Sequence, residues 1–275
     1  MSKIEKPPVN IDTIPEVYEY YRDNPVNERV TRFGYGAFSA VFRSNVSLWS
    51  EDADQYLEHR LAEGKQLILA ANHLNTYDQF LLSSLTFKVP SFKPLIGSTF
   101  IPAKTNLFQN RPLRWAVEQL GAIPAYRGKD FKDRNDPRRE VSKSGLLNVS
   151  RERMDNGQSM GIYPEQTRNR HEPHRVQELR RGIGEIACMT SANPNVIILP
   201  VGNVVGTKKP SSRTLPKVLD GIRNELYDFR NSRHAYIHIG EPIEGPFSSP
   251  EEIMDKLAPA MQASVDEAIR LQSAS

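Results

Sequence analysis

The chain has 275 residues, enough to bury one sizeable core without forcing a division into domains. Its 36 basic and 33 acidic residues leave a formal net charge of +3, too small a surplus to argue for a nucleic-acid partner, so any electrostatic function must come from local clustering. The single cysteine, Cys188, excludes an internal disulfide and points to a reducing, cytoplasmic setting.

The first residues carry Lys3, Lys6 and Pro7-Pro8 rather than an apolar run, so no signal peptide is expected. No stretch is apolar for long enough to span a bilayer, which confines a membrane role to the surface. Residues 1 to about 26 predict an arm of short helical pieces bounded by Pro15 and Pro25. Residues 30–49 are aromatic and basic, and fit equally an interfacial membrane segment or a segment packed on the core. Ser50-Glu51-Asp52 predicts a helix start and Gly64 its end.

A buried strand follows at 66–72. Thr76 and Gln79 have capping-box spacing, predicting a helix from Thr76 to about Phe87. Strands are predicted at 94–98, 121–126 and 159–163, with a helix restarted by Pro112 and a long one opened by Asp136-Pro137 and closed near Gly157. A helix at 176–190 leads to the apolar run 196–201, as expected of a strand covered on both faces. The segment 207–233 predicts loop chemistry with a short helix, and 235–239 a strand. Ser249 and Glu252 repeat the capping-box spacing, and Ile253, Leu257, Met261, Val265 and Ile269 mark one face of the closing helix. Strands alternating with helices predict an α/β fold with a mostly parallel central sheet flanked by helices. Residues 1–50 are expected to form an N-terminal arm whose helices could lie on a membrane surface, and 51–275 the main domain.

One pair of residues stands out within it. His73 and Asp78 are five apart and would diverge on a continuous helix, so they meet only if His73 occupies the turn after the strand and the helix starts between them. Asp78 would then sit where the helix dipole favours a carboxylate, and could orient an imidazole whose other nitrogen faces substrate. This is the base-plus-orienter half of a triad, sufficient where the substrate brings its own hydroxyl. The same residues also fit a plain helix start beside a polar turn residue.

Three more blocks stand at or just past predicted strand ends: Gly121-Ala122-Ile123-Pro124-Ala125-Tyr126-Arg127-Gly128, Gly161-Ile162-Tyr163-Pro164-Glu165-Gln166-Thr167-Arg168, and Val196-Ile197-Ile198-Leu199-Pro200-Val201-Gly202. With the Asn72-His73 to Asp78 block they resemble the four ordered motifs of the glycerolipid acyltransferases, enzymes that acylate lysophosphatidic acid or glycerol 3-phosphate. The resemblance implies His73 as general base and Asp78 as its orienting partner. Arg127 and Arg168, with Lys104, would hold the acceptor phosphate, while Glu165 and Thr167 would hydrogen-bond glycerol oxygens or support the phosphate site. Pro200 and Gly202 would be structural, closing the pocket wall and letting backbone approach the acyl chain.

The resemblance also implies a lysophospholipid acceptor and an acyl-CoA or acyl carrier protein donor, without cofactor or metal, on a protein peripheral to the inner face of a membrane. His171 and His174 lack further partners at metal-ligand spacing. Two residues depart from the pattern: Gln166 stands where the family usually has Gly, and Tyr126 where it usually has an acid. Both bear on the acceptor. Competing readings are a silent lipid-binding protein docking through the aromatic segment and Lys208-Lys209, and a hydrolase in which His73 activates water.

Overall fold

The computed structural model describes residues 5–23, 26–190, 195–206 and 217–275; Pro25 and the Lys208-Lys209 pair lie outside the described residues. Along the chain run α1 (Ile14–Asp23), α2 (Glu28–Val41), β1 (Asn45–Leu48), α3 (Ala53–Ala62), β2 (Gln66–Ala71), α4 (Asp78–Leu85), β3 (Thr99–Lys104) and α5 (Arg111–Gln119). There follow β4 (Ala122–Ala125), α6 (Arg138–Asp155), β5 (Ser159–Ile162), α7 (Gly182–Thr190), β6 (Val196–Val204), α8 (Lys217–Ser232), β7 (Tyr236–Ile239), β8 (Ile243–Glu244) and α9 (Pro250–Ser273).

The strands form one sheet in the order β1-β7-β6-β2-β5-β3-β4, with β8 also paired to β6. Pairs β2–β5, β2–β6, β3–β5, β3–β4 and β1–β7 are parallel, and only β6–β7 and β6–β8 are antiparallel. The two most apolar strands, β2 and β6, are neighbours at the centre, where both faces must be covered. Ile68, Ala70, Phe100, Met160 and Ile198 face a layer built by α1, α6, α7 and α9. Leu67, Leu69, Ala71, Ile197, Leu199 and Val201 face the opposite layer, with Leu57 of α3, Leu81 and Leu85 of α4, and Phe92. The period-2 alternation of each strand thus divides its side chains between two cores of a single α/β domain. In the aromatic segment Tyr35 and Phe42 are buried and Phe38 and Trp49 pack on the core, while Phe33 projects with 80% exposure.

Four element boundaries differ from the sequence reading, each for a visible reason. The strand expected at 94–98 is a 3-10 turn over Pro90–Leu95, and pairing begins only at Thr99, past Gly97 at φ +83°. The helix expected from 176 begins at Gly182, because Val176 and Gln177 give their N–H groups to Gln262 and Glu165 and Arg180 gives its to the Pro164 carbonyl. The short helix within 207–233 is sixteen residues long. The expected strand at 196–201 continues through Val204, where Val201, Gly202, Asn203 and Val204 pair with β7.

The capping boxes also differ. Ser249 does accept the Glu252 N–H at 3.1 Å, but the Glu252 carboxylate turns to Ser248. The box at Thr76 and Gln79 does not form at all: α4 starts at Asp78, and the Thr76 hydroxyl is buried without a partner. No side chain caps α4; Asn75 and Asp78 instead brace the turn before it, through Asn75 Oδ1 on the Tyr77 N–H and Asp78 Oδ2 on the Leu74 and Asn75 N–H groups.

Candidate active site

Five strands, β6, β2, β5, β3 and β4, run the same way, so their C-terminal ends lie along one edge of the sheet. Asn203 lies near the end of β6 and Lys104 ends β3, while His73, Glu165 and Arg127 follow β2, β5 and β4. The register explains a gap in this row. β3 pairs with β5 only at Thr99↔Ser159 and Phe100↔Met160, after which it follows β4 alone to Lys104↔Ala125. The edge is thereby parted into a His73–Glu165 side and a Lys104–Arg127 side.

On the first side, His73 Nδ1 lies 2.9 Å from Asp78 Oδ2. Asp78 is 1% exposed and its carboxylate is fully engaged. Oδ2 also accepts the Leu74 N–H at 2.5 Å and the Asn75 N–H at 2.9 Å, and Oδ1 accepts Asn203 Nδ2 at 3.2 Å. Asn203 is itself fixed by Asn72, whose side chain bonds the Asn203 N–H at 2.7 Å and carbonyl at 2.9 Å. The imidazole stacks on Tyr163, with ring centroids 4.5 Å apart and planes at 25°. Burial, and secondarily the Asp78 charge, push the Tyr163 phenol well above its ordinary range, so it stays neutral. With Nδ1 committed to Asp78, Nε2 is the nitrogen available to a ligand, and the His73 side chain retains 14% exposure.

Glu165 is buried beneath this turn. One oxygen accepts the His73 N–H at 2.8 Å and the other the Gln177 N–H at 2.7 Å, while the His73 carbonyl takes the Asn169 N–H at 2.6 Å. Both carboxylate oxygens therefore face backbone donors, and the geometry gives Glu165 the work of holding the histidine turn rather than glycerol oxygens. Burial raises its pKa and the two N–H donors oppose that rise. Thr167 is exposed and bonds Gln177 Oε1 at 3.0 Å. Gln166 adopts φ +57°, the left-handed conformation a glycine would take without strain, and its side chain is exposed. The backbone path thus survives the loss of glycine. Tyr126, the other departure, donates its hydroxyl to the Asn10 carbonyl at 2.9 Å and packs edge-on against Tyr18.

Across the gap the cations gather. Burial lowers the Lys104 pKa, and repulsion from Arg168, Arg127, Lys129 and Arg170 lowers it further, so the five charges share one electrostatic neighbourhood. Two acids answer them: Asp130 pairs with Arg127 at 3.1 Å and Asp228 with Arg170 at 3.3 Å. Among the described residues the Lys104 and Arg168 side chains make no hydrogen bond or ion pair, and Arg127 and Arg168 each keep a buried Nε without a partner. The excess positive charge is arranged for an anion.

Residues 54–204, more than half of the chain, match the Acyltransferase family. The chain belongs to the Acyltransferase family. A comparison with curated proteins gave no match. Family membership makes it an acyltransferase and implies an acyl donor and a lipid acceptor. The matched span begins within α3 and ends at the last residue of β6, enclosing every residue placed above on the parallel C-terminal edge.

Two sequence-assigned members of this acyltransferase site stand elsewhere. A Cβ on Gly202 would lie 2.1 Å from the Ser264 carbonyl group, so its missing side chain admits the α9 backbone and not an acyl chain. Pro200 is buried in the same strand, its carbonyl taking the Gly240 N–H at 2.9 Å. Both are structural, as helix-to-sheet packing rather than pocket wall. Conversely, Asn203 and Tyr163 touch the His73–Asp78 pair but were not singled out from the sequence. The register held the clue, since Val201 pairs with Ala71 and Ile162 with Ala70, bringing Asn203 and Tyr163 beside the turn that follows β2. Among the described residues no cluster of three metal-ligating side chains occurs, and no helix is long and apolar enough to cross a membrane.

Proposed function

We propose that this acyltransferase moves a fatty acyl chain from acyl-CoA or acyl carrier protein to the free hydroxyl of lysophosphatidic acid, a step of phospholipid biosynthesis. The observation that carries the reading is the 2.9 Å contact between His73 Nδ1 and Asp78 Oδ2, facing five cations across a parted sheet edge. His73 Nε2 takes the proton of the acceptor hydroxyl as its oxygen forms a bond to the thioester carbonyl carbon. Asp78 stabilises the imidazolium that results. Collapse of the tetrahedral intermediate breaks the carbon–sulfur bond, and the leaving thiolate takes the proton back from His73. No acyl-enzyme is needed, because the acceptor supplies the nucleophile.

Lys104, Arg127 and Arg168 would hold the acceptor's phosphate, Arg168 having no protein counter-ion to surrender. Glycerol 3-phosphate presents the same anion and hydroxyl and is the nearest alternative acceptor. A lipid acceptor and the solvent-facing Phe33 support work at a membrane surface, with the enzyme peripheral to the inner face. The test is thiol release from acyl-CoA with a panel of phosphorylated and unphosphorylated acceptors. Release should require a phosphorylated acceptor, vanish in His73→Ala, and show an acceptor KM raised about tenfold in Arg168→Gln. Equal release without any acceptor would instead identify a thioesterase.

A further inference from the structure

We propose a second anion site, apart from the strand-end cations, at the N-terminus of α5, and assign it to the phosphate-bearing nucleotide of a coenzyme A donor. The assignment rests on acyl-CoA being the donor in the function proposed above. A cavity of about 610 Å³ lies between the extended segment before α1 and the start of α5. Lys6, Arg111 and Arg114 line it, with Val9 and Phe108 supplying apolar wall.

The local charge is unbalanced. Glu118 pairs with two of these three cations, accepting Lys6 Nζ at 2.5 Å and Arg114 Nε at 2.9 Å, and it also accepts the Tyr21 hydroxyl at 2.5 Å. Arg114 is 8% exposed; its Nη1 donates to the Pro7 carbonyl at 2.7 Å, and its Nη2 has no partner. An unpartnered guanidinium nitrogen in so buried a group is costly unless an acceptor completes it. Arg111 is exposed and, among the described residues, makes no hydrogen bond or ion pair. The helix dipole of α5 adds partial positive charge at the same end.

Position favours the donor over the acceptor. Three strand spacings separate β2 from β4, about 14 Å. Tyr126, just past β4, then reaches Asn10 on the cavity wall. The cavity therefore sits about 20 Å from the histidine strand, a span suited to an extended pantetheine arm with its thioester at His73.

The test is calorimetric titration of the full chain and of Arg111→Glu with coenzyme A, adenosine 3′,5′-bisphosphate, inorganic phosphate and glycerol 3-phosphate. Wild type should bind both nucleotides, and R111E should bind them at least tenfold more weakly with an unchanged melting temperature. Glycerol 3-phosphate binding should not change, and the acyl-CoA KM should rise without loss of kcat. Nucleotide affinity unaffected by R111E overturns the site. Inorganic phosphate bound as tightly as the nucleotides, with the same Arg111 dependence, overturns the donor assignment. Arg111-dependent coenzyme A binding in a protein that transfers acyl groups to no acceptor would sink the proposed function and leave the site standing. Transfer with an unaltered acyl-CoA KM in R111E would do the reverse.

Discussion

Replacing Asp78 by asparagine separates charge from shape. The amide oxygen can keep the position of Oδ2 and its bonds to the Leu74 and Asn75 N–H groups and to His73 Nδ1. The amide nitrogen then meets Asn203, whose Oδ1 has no partner, and a turn of that side chain converts a donor-donor contact into a hydrogen bond. The fold should therefore lose only charge assistance, about 1 kcal/mol in urea unfolding. Catalysis should lose far more. A carboxylate and an imidazolium with charge centres about 4 Å apart attract by about 4 kcal/mol at the effective dielectric of a partly exposed site. In the proposed mechanism His73 gains its charge as it takes the proton of the acceptor hydroxyl, so that attraction belongs to the transition state. Its removal should lower kcat/KM about a thousandfold. Thiol release is followed at the acceptor giving the highest wild-type rate. A folded Asp78→Asn enzyme within tenfold of wild type would refute the pairing as the source of catalysis.

Asn203→Ala removes one donor from Asp78 but leaves the backbone groups that Asn72 holds, so kcat should fall about tenfold with little change in substrate KM; an unchanged kcat would show that the contact orients nothing. Gln166→Gly relieves a left-handed conformation and should stabilise the protein by about 1 kcal/mol in urea; destabilisation would mean that the Gln side chain contributes more than the strain costs. For Glu165 the sign follows from its raised pKa: the native state binds the proton more tightly than the unfolded state. Its contribution to stability is complete below the ordinary value of 4.5 and declines as pH rises through the folded pKa. The stability difference between wild type and Glu165→Gln should therefore shrink as pH rises above 4.5, and a difference that grows would reverse the assignment.

What could be read from the sequence was local. β2 and β6 declared themselves because a strand covered on both faces needs an unbroken apolar run, and His73 and Asp78 were visible because one turn contains both. Asn203 was not, since it lies 125 residues from the carboxylate it bonds and follows a glycine whose neighbour is a helix backbone. The Thr76 cap failed because the turn, braced by Asp78 and Asn75 on the Leu74, Asn75 and Tyr77 N–H groups, delays the helix to Asp78 and places Tyr77 at its N-cap. Gln177 was counted as helical, yet its N–H serves Glu165, and a periodic pattern carries no record of where a backbone donor is spent. The cation cluster was implied by family likeness, but its membership of Lys129 and Arg170 emerged only from the strand order.

The β3–β5 seam is closed by two paired positions, against four between β3 and β4. Of the side chains proposed to hold the phosphate, Lys104 and Arg127 are carried by the β3–β4 pair and Arg168 by the loop after β5, while His73 follows β2. A shift of β3 and β4 along that short seam would therefore move two of the proposed phosphate ligands relative to the imidazole while leaving the β2–β6 core of the sheet intact.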